Sequence, residues 1–150
     1  MRADYFRKTD NNNYPYSNAK RYSVLLLDDE EDTNTVLKVG LEVQAPFNVY
    51  PYNDPDEALK SLSNAHYDIM IIDILLPKMS GFEFYQKARQ LDGTSKVFFI
   101  TAFENYYEEY KDKYPMWNGD CFIVKPISIA SLAALLTSEI ESRLEREAYN

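Results

Sequence analysis

The chain has 150 residues, 45% apolar and 27% charged, which suits one globular domain burying about two-thirds of its unfolded surface. Its 24 acids against 16 Lys and Arg give a net charge of −8, which argues against nucleic acid as a direct partner, because phosphate backbones need a basic face. No apolar run approaches the ~18 residues that would insert in a membrane, the N-terminus lacks the apolar core of a signal peptide, and the single cysteine, Cys121, reads as a buried thiol in a reducing cytoplasm.

Residues 1–21 are polar, with Asn11-Asn12-Asn13, Pro15 and Asn18, and follow neither a strand nor a helix period. A disordered tail is the expectation, and its Tyr5, Phe6, Tyr14 and Tyr16 leave docking on the domain or a partner open. Tyr22 to Leu27 is an apolar run that ends in Asp28-Asp29-Glu30-Glu31-Asp32. A helix follows, with Val36, Leu37, Gly40, Leu41 and Gln44 at helical spacing and Pro46 as its stop. Phe47 to Tyr52 alternates as a short strand, and Pro51 suits an edge position. Asp54-Pro55 pairs an N-cap with a proline at the first helical position, opening a helix with Ala58, Leu59 and Leu62 as its apolar face. His66, alone of its kind, cannot build a metal cluster and reads as a solvated loop residue.

Asp68-Ile69-Met70-Ile71-Ile72-Asp73 is apolar on both sides of the backbone, the pattern of a parallel strand covered by helices on both faces. An ionised Asp73 at its end is costly unless that end is a rim where something pairs with it. Ile74-Leu75-Leu76-Pro77 then leads through a turn to Gly81, and Phe82 to Leu91 forms a helix with Phe82, Phe84, Tyr85, Ala88 and Leu91 available for its inner side. Lys96 to Ile100 is a strand closed by Thr101. A helix is expected over 104–117, where Tyr106, Tyr107, Tyr110, Tyr114 and Trp117 stand among Glu104, Glu108, Glu109 and Asp112. Cys121 to Val124 is a fifth strand, closed by Lys125-Pro126. Ser128 caps a last helix with Ile129, Leu132, Ala133, Leu136, Ile140 and Leu144 inward, and charge-rich final turns from Glu139 to Glu147.

Strand and helix alternate five times. This predicts an α/β domain over 22–147, a doubly wound five-stranded parallel sheet with right-handed crossovers, and no second, output-like domain. In such a sheet the residues just after each strand share one rim, where ligands of open α/β sheets bind. Here they are Asp28, Asp29, Asp73, Thr101 and Lys125. Each alone has a plain reading: acids favouring a helix N-terminus, a turn acid, a strand-closing threonine, a solvated lysine. Together they point to a site. Carboxylates ~5 Å apart at an effective dielectric of ~20 repel by about 3 kcal/mol per pair. A divalent cation relieves this, and hard oxygen ligands suit Mg²⁺ with water and a phosphate. Asp73 could then attack a phosphoryl group, with Lys125 and the Thr101 hydroxyl serving its oxygens.

Leu27-Asp28-Asp29-Glu30, the stretch Ile72 to Gly81, Thr101-Ala102 and Phe122-Ile123-Val124-Lys125-Pro126 together resemble the receiver domain of two-component response regulators, over about residues 22–146. The resemblance implies a flavodoxin-like strand order 2-1-3-4-5, a cis Lys125–Pro126 bond and a cytoplasmic signalling role. It implies Asp73 as phosphoacceptor, with Mg²⁺ (or Mn²⁺) held by Asp29 directly, Asp28 mainly through water, Asp73, and the backbone carbonyl of Leu75. The donor would be a phosphohistidine of a histidine kinase or phosphotransfer protein. No small-molecule turnover is expected, and a homodimer is left open. Thr101 and Phe122 match the family's switch positions, with Phe122 in place of a tyrosine and plain core packing as its alternative. Leu75 and Phe103 stand at the positions flanking the acyl phosphate, two bulky apolar groups where slow self-dephosphorylation would follow. The aromatic segment 103–119 departs most from the family, and Tyr106, Tyr107 and Tyr110 are candidates for a partner face. The rival is a pseudo-receiver scaffold acting through that segment without phosphorylation. An aspartate-nucleophile phosphatase would want a second acid where Leu75 stands.

Overall fold

The computed structural model describes residues 20–102, 108 and 122–150. The apolar runs pair as strands β1 (Tyr22–Leu27), β2 (Phe47–Tyr52), β3 (Ile69–Asp73), β4 (Lys96–Thr101) and β5 (Phe122–Val124). All neighbouring pairs are parallel, in the order β2-β1-β3-β4-β5 that the resemblance implied. Pro51 therefore lies on an edge strand, where its missing N–H interrupts no second ladder. Between the strands run α1 (Glu31–Gln44), α2 (Pro55–Leu62) and α3 (Gly81–Leu91), and α4 (Ile129–Ala148) follows β5.

The period-2 geometry of β3 splits its apolar side chains between the two faces of the sheet. Ile69 and Ile71 join Leu37 and Leu41 of α1 and Leu132, Leu136 and Ile140 of α4 in one core. Met70 and Ile72 join Ala58 and Leu62 of α2 and Phe82, Phe84 and Ala88 of α3 in the other. Each fully buried Leu, Ile or Phe contributes about 1.5–3 kcal/mol, so these two layers hold the rim residues in place. Capping residues fix where helices start. Asp54 accepts from the Asp56 N–H at 2.9 Å, Ser80 from Glu83 at 3.1 Å, and Ser128 from Ser131 at 3.0 Å. α1 has no side-chain cap from its N-cap residue Glu30.

The inner faces of three helices differ from expectation in detail. Val36 is 59% exposed and Gln44 is exposed, whereas Asn34, Leu37 and Leu41 are buried. The stripe is the i, i+3, i+7 row through residue 34, and a lone exposed valine costs too little to shift it. Leu91, in the last turn of α3, and Leu144, near the end of α4, also face solvent. What holds the end of α4 is an ion pair: Arg143 Nη2 lies 2.7 Å from Asp68 Oδ1. His66 is exposed as expected, but it has a partner, its Nδ1 standing 2.8 Å from Asp92 Oδ2. Arg21, next to β1, donates to Asn48 Oδ1 at 2.8 Å and to the backbone carbonyls of Glu42 and Phe47. Apart from residue 108, the expected helix over 104–117 lies outside the described residues, and so do Cys121, Phe103, Tyr106, Tyr107, Tyr110 and tail residues 1–19. Among the described residues no helix is long and apolar enough to cross a membrane.

Candidate functional site

Because the strands are parallel, their C-terminal ends bring Asp28 and Asp29 (after β1), Asp73 (ending β3), Thr101 (ending β4) and Lys125 (after β5) to one rim. The sheet seats the first of these firmly. The Asp28 N–H donates to the Tyr52 carbonyl at 3.1 Å, which continues the β1–β2 ladder by one residue. Asp28 and Asp73 are 1% and 7% exposed and Thr101 is 2% exposed, while Asp29 is exposed at the mouth. Lys125 is tied to the end of β4 by its own N–H, which donates to the Thr101 carbonyl at 2.7 Å. The following Lys125–Pro126 peptide bond is cis, as the resemblance implied.

The lysine side chain reaches back over the rim. Its Nζ is 2.9 Å from Asp28 Oδ2 and 3.0 Å from Asp73 Oδ2. The other oxygen of each acid is held by backbone: Asp28 Oδ1 accepts from Glu30 N at 3.0 Å, and Asp73 Oδ1 from Leu75 N at 2.9 Å. Gly81 is needed for this packing. A Cβ there would stand 2.4 Å from the Asp73 carbonyl oxygen, so only glycine lets α3 start against the end of β3. The intervening loop is linked to α2 through Lys78, whose Nζ is 2.8 Å from Asp54 Oδ2.

Burial pushes the Asp73 carboxyl above its ordinary value, and the neighbouring charge of Asp28 adds to this. Lys125 and the Leu75 N–H pull the other way without cancelling it. Burial alone would lower Lys125, but its bonds to Asp28 and Asp73 outweigh that and hold the ammonium above the usual lysine range. Among the described residues, one cation therefore serves a negatively charged cluster. Asp28, Asp29 and Asp73 each offer an oxygen, all within 4.8 Å of one another. This donor set of carboxylate oxygens fits a hard divalent ion such as Mg²⁺ or Mn²⁺.

Around these charges the apolar candidates take different places. Leu75 is 48% exposed beside Asp73. Phe122 faces the core side of the sheet, with its ring centroid 5.5 Å from that of Phe99 and 6.3 Å from that of Phe82. Asn34 was missed from the sequence although its spacing to Leu37 and Leu41 marks it as inward. Its Nδ2 donates to the Asp28 and Tyr52 carbonyls at 2.9 and 3.2 Å.

The sequence matches the response regulator receiver domain over residues 24–137. The chain belongs to that family. The transcriptional regulatory protein TrcR of Mycobacterium tuberculosis is 29% identical to it over 128 residues, which cover 83% of this chain and 48% of TrcR. The receiver chain spans about half the length of the curated relatives it matches. Among solved structures, the chemotaxis protein CheY4 of Vibrio cholerae superposes with a TM-score of 0.68 at 25% identity, covering 79% of this chain and 98% of CheY4. The response regulator TrrA of Thermotoga maritima, solved in complex with Mg²⁺ and BeF, gives a TM-score of 0.64 at 27% identity and covers 79% of this chain and 97% of TrrA.

Proposed function

We propose that this receiver accepts a phosphoryl group from a phosphohistidine of a histidine kinase or phosphotransfer protein onto Asp73, and so switches a protein-contact face. The observation that carries the reading is the cluster of Asp28, Asp29 and Asp73 oxygens within 4.8 Å, with Lys125 Nζ bridging two of them. The Asp73 carboxylate attacks phosphorus, the donor's phosphorus–nitrogen bond breaks, and the imidazole leaves with the electron pair. Lys125 moves from its carboxylates to neutralise one phosphoryl oxygen, and the Thr101 hydroxyl donates to another. Asp28, Asp29, Asp73 and the Leu75 backbone carbonyl would hold Mg²⁺ or Mn²⁺, which supplies positive charge to offset their repulsion and that of the incoming phosphoryl group.

As Thr101 turns toward the phosphate, Phe122 closes behind it, over Phe82 and Phe99. Leu75 and Phe103 flank the acyl phosphate and keep water from it, so self-dephosphorylation is slow. Replacing both, Leu75→Asn with Phe103→Ala, is expected to shorten the half-life of the phosphorylated protein several-fold. The output is a protein contact made in the cytoplasm, with Tyr106, Tyr107 and Tyr110 as its anchors. The test is incubation with a small-molecule phosphodonor with and without Mg²⁺. Uptake of one phosphoryl group that stops on chelation supports the reading. No uptake in wild type would favour the scaffold that acts through 103–119 without phosphorylation.

A further inference from the structure

Asn34 sits in the first turn of α1 and is 4% exposed. Its carboxamide nitrogen donates to two backbone carbonyls, Asp28 at 2.9 Å and Tyr52 at 3.2 Å. Those carbonyls mark where β1 and β2 end, and Tyr52 O also accepts from Asp28 N at 3.1 Å. Turning the carboxamide over would set its oxygen against two carbonyl oxygens, so its orientation is fixed by chemistry. In that orientation Oδ1 is buried and has no hydrogen-bond partner among the described residues.

A buried acceptor without a partner weakens a fold, and it offsets part of what the two bonds from Nδ2 contribute. The next inward positions on the same helix face, Leu37 and Leu41, are apolar. A polar group on this otherwise apolar face, bonded to the main chain that carries Asp28, points to a task at the adjacent site. The task is visible in the connections. Asn34 holds the main chain of Asp28, and Asp28 presents its carboxylate to Lys125 at 2.9 Å and to the Glu30 N–H at 3.0 Å.

We propose that Asn34 is a positioning residue for Asp28. Its carboxamide clamps the ends of β1 and β2 together so that the Asp28 carboxylate stays aimed into the acidic cluster against the repulsion of Asp73 and Asp29. Asn34 itself touches no reacting atom. The inference rests on the phosphoacceptor reading above, because that reading gives the cluster its cation. Without the clamp the Asp28-Asp29 turn is free to relax away from Asp73, and the cation loses a pre-set ligand.

The Glu30 amide reports directly on the carboxylate, since its N–H donates to Asp28 Oδ1. The experiment is a Mg²⁺ titration of the full chain followed through the Glu30 amide resonance, with a thermal melt of each variant. Asn34→Leu, which takes the donor from the buried Asp28 carbonyl, is expected to melt somewhat below wild type, to shift the Glu30 resonance before any Mg²⁺ is added, and to raise half-saturating Mg²⁺ about tenfold. A residue that only supported the fold would lose the same stability but leave the Glu30 resonance and the Mg²⁺ affinity of the folded protein alone. Asn34→Ser, too short to span both carbonyls, gives a second measure with the same expected loss of affinity. Unchanged half-saturation in either folded variant overturns the proposal. If wild type itself shows no Mg²⁺-dependent shift, the phosphoacceptor reading falls and this one with it. A wild-type response with unaltered variants defeats only the role of Asn34.

Discussion

Where the strands begin, Asp68 and Asp92 are surrounded by donors; where they end, Asp28 and Asp73 share one lysine. Asp68 accepts from the Ser23 N–H at 2.8 Å and from Arg143 at 2.7 Å. Asp92 accepts from the N–H groups of Thr94 and Ser95 at 3.0 and 3.2 Å, and pairs with His66. Burial works against both charges, yet these partners outweigh it and hold both carboxyls below their ordinary values. At the other rim burial prevails, and Asp73 lies above its ordinary value despite Lys125. Among the described residues, the same residue type thus staples the fold at one end and is left short of positive charge at the other. The proposed uptake of a cation and a phosphoryl group would use that deficit, and the lower rim, where the strands begin, offsets part of its cost to folding.

The contrast can be broken from the lower rim first. Asp68→Ala removes the acceptor of Arg143 and of the Ser23 N–H, and should cost about 2–3 kcal/mol of unfolding free energy, read by chemical denaturation. Asp92→Asn should cost less, about 1–2 kcal/mol at neutral pH, with a pH signature. Because the folded carboxyl of Asp92 lies below its unfolded value, its stabilisation is complete above about pH 4 and is lost as pH falls through the folded pKa. The gap between wild type and Asp92→Asn should therefore close in strong acid; a gap independent of pH would contradict the assignment. On the upper rim the sign reverses. Asp73→Asn removes a repelled, buried charge and should leave stability unchanged or raise it by up to about 1 kcal/mol. The exposed pair of Lys78 with Asp54 marks the small end of the scale, and Lys78→Ala should not move the melting temperature measurably at physiological salt.

Both rims differ in how far the sequence disclosed them. The alternation of apolar runs and helical stripes was enough for the layers, the parallel sheet and the upper rim, because residues after parallel strands converge whatever their side chains do. Asp28, Asp73, Thr101 and Lys125 meet for that reason. The lower rim was not legible. Arg143 lies 75 positions from Asp68, in turns that the sequence marks only as charge-rich, and nothing local in the chain says that they pair. His66 and Asp92 likewise meet only because the loops before β3 and β4 are neighbours. Asn34 shows a third kind of miss. Its polarity argued for the surface, and Val36 took its place in the expected stripe, although the spacing to Leu37 and Leu41 marked residue 34 as inward.

The account stands on Asp73 as the group that takes the phosphoryl. The direct measurement is intact-protein mass after incubation with a small-molecule phosphodonor and Mg²⁺, on wild type and on Asp73→Asn. The account predicts one added phosphoryl group in wild type and none in Asp73→Asn, whose fold remains intact. Equal uptake by the two proteins, or none by wild type, would contradict it.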